Sequence, residues 1–125
     1  MSPKIDDLIQ HINESPDKLH GDHTPASMQL IDLGEAALDA VLQLMLDQDP
    51  DTRLRAQRVM EGITMKVHGF IPGRGWESPA GEMQWRDFWR ALGNVNWEAP
   101  LDARKQGVAL WTHWLAQRER EKVSR

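Results

Sequence analysis

The 125-residue chain carries 15 Lys and Arg against 19 Asp and Glu, a formal net charge of −4, with 40% hydrophobic and 27% charged residues. That is the length of one domain, residues 1–125, with globular composition rather than the low-hydrophobicity, high-charge balance of a disordered chain. The absence of cysteine excludes disulfides, thiolate nucleophiles and thiolate metal sites; with no leader-like start and no run of about 18 apolar residues, no membrane association is expected and a cytoplasmic location is.

The chain order reads as helix after helix. Ile5, Leu8, Ile9 and Ile12 fall at i, i+3, i+4 and i+7, an apolar stripe on a first helix that should stop before Ser15 and Pro16. After the polar turn DKLHGDH, Thr24 followed by Pro25 is a helix start: the hydroxyl accepts an orphan backbone N–H, and proline has no donor to waste in the first turn. Gly34 should close that helix. The next segment, EAALDAVLQLMLD, places Leu38, Val41, Leu42 and Met45 on one face with Ala37, Leu44 and Leu46 beside it, which predicts a helix packed between others. Asp49 and Pro50 repeat the start signal, and Ala56, Val59, Met60, Ile63 and Val67 make a stripe running to Gly69. Gly62 within it costs roughly 1 kcal/mol relative to alanine, which predicts close packing or a bend. Residues 69–81, GFIPGRGWESPAG, read as one long loop. Trp85, Phe88, Trp89 and Leu92 then line a helix ending at Gly93, and Val108, Trp111, Trp114 and Leu115 line a last helix starting near Pro100, with the tail REREKVSR expected to fray.

The stretch from Ser27 to Thr64 contains MQLIDLGEAALDAVLQLMLDQDPDTRLRAQRVMEGIT, a helix ending in Leu33 and Gly34, a leucine-rich second helix, an acidic turn, then Arg53 and Ala56. It resembles a HEAT repeat, the helical hairpin also found in bilin-lyase-type HEAT-like proteins, with Thr52 where valine is usual. The resemblance covers about 40 of 125 residues. It implies an all-α fold, a short α-α superhelix of about three hairpins and about six helices, in which Asp47 and Arg53 match the ladder between successive repeats. The C-terminal half departs from the pattern through its glycine-rich loop and its tryptophans. Its last segment, WEAPLDARKQGVALWTHWL, resembles the capping helix that closes some such stacks, which need roughly three repeats to bury a continuous core.

Function is read from the few residues the helical pattern does not absorb. Trp85, Trp89, Trp111 and Trp114 sit at helical spacing and are expected in the core, whereas Trp76 and Trp97 lie in loops. With Arg74, held between glycines in PGRGW, they are the candidate binding residues, since tryptophan and arginine are enriched at interface hot spots. PGRGW is not a P-loop: no Gly-Lys-Ser/Thr and no preceding strand accompany it. His20, Asp22 and His23 lack a fourth ligand at zinc spacing, and neither a nucleophile elbow nor a placed acid pair is legible, so no catalytic residue, metal or cofactor is assigned.

Residues 1–50 hold two Lys against ten acids, a net −8, and residues 51–125 carry +4. This asymmetry suits a charged partner or head-to-tail self-association but supplies no basic stripe for nucleic acid. The expected function is therefore a non-catalytic protein–protein interaction or scaffold module, with a homo-oligomer as one form. The alternative is a small enzyme or a nucleic-acid- or chromophore-processing protein, because HEAT-like folds include bilin lyases and alkylpurine glycosylases.

Overall fold

The computed structural model describes residues 3–123, with side chains for residues 4–122. It is all-α apart from one small hairpin. In chain order the elements are α1 (Pro3–Gln10), α2 (Pro25–Leu33), a 3-10 turn (Gly34–Ala37), α3 (Leu38–Gln43), a second 3-10 turn (Leu44–Leu46), α4 (Pro50–Val67), β1 (Phe70–Ile71), β2 (Gly75–Trp76), α5 (Pro79–Ala91) and α6 (Leu101–Val123).

The helix ends follow from local chemistry. The Thr24 hydroxyl accepts the Ser27 N–H at 3.1 Å while the Ser27 hydroxyl accepts the Thr24 N–H at 2.8 Å, a closed capping box ahead of Pro25. Asp49 caps α4 by accepting the Asp51 N–H at 3.1 Å. Gly34 ends α2 at φ 74°, a conformation side chains resist.

The centre of the molecule is α4, against which α2, α3, α5 and the hairpin pack. Leu30, Leu38, Val41, Leu42, Met45, Ala56, Val59 and Met60 have no exposed surface, so the stripes on α2, α3 and α4 meet in one core. At Gly62 a Cβ would lie 2.8 Å from Ile31 Cδ1; the absence of a side chain there is what lets α2 approach α4. Ile5 and Leu8 bury the α1 stripe with Ile9 half-buried beside them, and Ile12, in the turn after the helix, is buried too.

Three expectations are corrected. Residues 35–46 do not form one helix: 3-10 turns at Gly34–Ala37 and Leu44–Leu46 flank a short α3, the tighter repeat often seen at helix ends. Residues 69–81 are not one loop: Phe70 pairs with Trp76 and Ile71 with Gly75 in an antiparallel ladder, and α5 already starts at Pro79, capped by Ser78. The tail does not fray over the described residues: α6 continues to Val123, and Arg118 and Lys122 both reach the Glu35 carboxylate. Ser124 and Arg125, the rest of that predicted tail, lie outside the described residues.

Aromatic rings fasten the C-terminal half. Contacts run from Phe70 to Trp76 (5.4 Å between centroids), Trp85 (6.0 Å), Trp89 (5.7 Å) and Trp111 (5.3 Å), and Phe88 touches both Trp111 and Trp114. Of the four tryptophans expected in the core, Trp89 and Trp111 are buried, while Trp85 and Trp114 are half-buried at its edge.

Candidate functional site

The hairpin after α4 fixes where the predicted loop residues lie. Gly73, at φ 83°, makes the turn, and the Arg74 N–H donates to the Ile71 carbonyl at 2.9 Å, so this segment is a hydrogen-bonded turn rather than a nest of free amides. Arg74 is exposed at its tip. Trp76 is half-buried, held between Phe70 and Trp85, and Trp85 in turn donates its indole N–H to the Thr64 hydroxyl at 2.9 Å.

Trp97 is placed elsewhere. Its N–H donates to the Gln57 side-chain oxygen at 2.7 Å and its carbonyl accepts from Arg53 Nε at 2.9 Å. Gln57, which holds Trp97, and Thr64, which holds the Trp85 that Trp76 packs on, are seven residues apart, roughly 10 Å along α4. Arg74 and Trp76 thus share the hairpin, and Trp97 belongs to the opposite end of α4.

Arg53 also donates to the backbone carbonyls of Asp47 (2.9 Å) and Gln48 (3.0 Å), while the Asp47 carboxylate accepts the Asp49 N–H at 2.8 Å. The guanidinium therefore engages the carbonyls that end the second 3-10 turn, not the Asp47 carboxylate. Arg104 works beside it, donating to the carbonyls of Met45 (2.7 Å) and Ala99 (2.9 Å). Burial, and after it the nearby Arg53 charge, pull the Arg104 guanidinium below its ordinary pKa.

A concave surface opens on the other side of α4, between α2, α4 and the hairpin. It is a cleft of about 230 Å³ with a floor of Met28, Ile31, Met65, Phe70 and Pro72. Met28 is 48% exposed. Charged groups stand on its rim in pairs: Arg58 Nε with Asp22 at 2.7 Å, Arg58 Nη1 with Glu61 at 3.0 Å, and Lys66 with Asp32 at 3.5 Å. The Arg58 hydrogen bond holds the Asp22 carboxyl below the ordinary carboxylate value. Burial lowers Arg58 itself, but Asp22 and Glu61 outweigh this and raise it. His23 and Met28 join this cleft to a larger one of about 490 Å³, also lined by Ser15, Asp17, His20, Thr24 and Pro25.

Of the cleft residues, only the hairpin segment carries a sequence signal for a site. Met28 and Ile31 on α2 and Met65 on α4 face one another because two helices cross at Gly62; the glycine itself predicts close packing, but no local pattern names α2 as the partner. Among the described residues no three His, Asp or Glu side chains converge as a metal-holding group, and Asp22 is engaged by Arg58 instead.

No family model matches this chain, and neither a curated protein nor a solved structure is similar to it.

Proposed function

We propose that this domain is a non-catalytic protein-binding module built on HEAT-like helical hairpins, and that it takes an apolar side chain of its partner into the cleft between α2, α4 and the hairpin. The observation that carries the reading is that cleft: exposed Met28 and Pro72, half-buried Met65 and Phe70 and, beneath them, the buried Ile31, under a rim of paired charges. Flexible methionine side chains adapt to an incoming apolar group, and an apolar centre inside a polar rim is the anatomy of a small interface. α1 packs on α2 and α3 on α4, as consecutive helices of a stack do, while α2 packs most extensively on α4. Arg74, at the tip of the strand pair that forms one wall, contributes a charged contact to the same partner, with Trp76 supporting the wall from behind. Trp97 contributes to a second, separate contact or to none.

A photo-reactive amino acid at position 28 tests this in lysate of the source organism, with the same label on the exposed Asp39 as control. One protein cross-linked from position 28, absent from position 39 and lost when Met65→Lys is added, is the expected result. Equal labelling from both positions, or none, removes the cleft as a docking site.

A further inference from the structure

We propose that residues 13–23 form a strap that unfastens from α4 and opens locally, losing its internal hydrogen bonds, while the rest of the core stays folded. The inference goes beyond the docking reading and stands without it, since it concerns only how this segment is fastened.

Burial contributes little to the fastening. Residues 13–21 are all exposed, and Leu19, the large apolar side chain of the segment, is 88% exposed. Only Asp22 and His23 are partly covered. The main driving force for holding chain against chain is therefore almost absent here.

Polar links do the fastening instead. Asn13 Nδ2 donates to the Thr52 hydroxyl at 2.7 Å, Arg55 donates to Asn13 Oδ1 at 2.7 Å and to the Gly21 carbonyl at 2.9 Å, and Arg58 Nε donates to Asp22 at 2.7 Å. Arg55 is the unusual member. It is 8% exposed, none of its hydrogen bonds goes to a carboxylate, and its Nε has no acceptor. Covering a guanidinium without a counter-ion carries a desolvation cost that neutral acceptors offset only in part. Lifting the strap returns that charge to water, which brings the closed and open forms close in free energy.

The ends of the strap are built as a hinge. The Thr24 hydroxyl donates to the Ile12 carbonyl at 2.7 Å, and both residues are 2% exposed. The two ends are pinned to each other inside the core, the arrangement of an Ω-loop, so the segment between them lifts without drawing on α1 or α2. Because His23 lines the cleft and Asp22 pairs with Arg58 on its rim, the open strap removes His23 from one wall and leaves Arg58 without that partner.

Amide hydrogen exchange on the full chain tests the inference. The reporters are the Asp17 and His23 N–H groups, which donate to the carbonyls of His23 and His20, both at 2.9 Å; the references are the Leu42 and Val59 amides in the core. Local opening predicts reporters exchanging at least about 100-fold faster than the references and insensitive to low denaturant. Arg58→Gln and, separately, Asn13→Ala, each cutting links to the strap, are expected to speed the reporters roughly tenfold while leaving the references unchanged. Reporters exchanging at the reference rates, or moved by neither variant, would overturn the proposal.

Discussion

Trp111 shows how much one residue carries in this molecule. Its ring has no exposed surface and meets Phe88, Trp89 and Trp114 edge-on at 5.3 to 5.9 Å, so it is the buried centre of the α5–α6 contact, beside Trp114 on Phe88. Removing it leaves a cavity bounded by rings too large to collapse inward. Trp111→Ala is expected to cost about 3–5 kcal/mol in urea unfolding, and a loss under about 1 kcal/mol would show that the ring is not part of the core. Its indole N–H has no acceptor, so Trp111→Phe, which deletes that donor and keeps most of the ring, should cost less than Trp111→Ala in the same series.

Among the elements, α2 is set by its first turn. Thr24 closes the capping box and also bonds across to Ile12, so one buried hydroxyl both starts a helix and joins it to α1. Thr24→Ala should lower stability by about 2 kcal/mol, since the cap is lost and buried backbone groups are left unpaired; Thr24→Ser, which keeps the oxygen, should recover most of it in thermal unfolding. A loss near zero for the alanine variant would mean that the cap does not hold the helix.

The caps were legible because Thr24-Pro25 and Asp49-Pro50 act on amides within three residues. The apolar stripes of α1 and α4 were legible because periodicity is local too. The hairpin was not: two-residue strands are too short to show alternation, and Phe70 meets Trp76 only once Gly73 turns the chain. Of the candidate site, sequence pattern pointed to Arg74 and Trp76, but the cleft they border needs α2 and α4 to cross at Gly62, a non-local event. The extension of α6 to Val123 was hidden for the same reason, because the acid that holds it, Glu35, lies 83 residues before Arg118.

Across the whole molecule, ion pairs join acids of the first half of the chain to bases of the second, Asp22 to Arg58, Asp32 to Lys66, and Glu35 to the last helix. The Glu35 carboxylate accepts from Arg118 and from Lys122 at 3.4 Å, and the Arg118 guanidinium also lies 5.0 Å over the Trp114 ring. The pair is only partly covered, so its contribution is modest and screened by salt. Glu35→Gln is expected to lower stability by roughly 1 kcal/mol or less, with the difference from the parent shrinking at high salt and amide exchange speeding up only in the last turns of α6. Unchanged exchange there would show that α6 keeps its end without the ion pair.

The ring-to-ring chain from Phe70 to Trp114 also has an optical consequence. Five of the six tryptophans touch another aromatic ring, and Trp97 stands outside the chain. Excitation absorbed by any of the five passes readily to its neighbours, so their emission is a collective property of the packed C-terminal half. The intrinsic fluorescence of this protein therefore reports on whether α5, α6 and the hairpin are docked together, and says little about any single indole except Trp97.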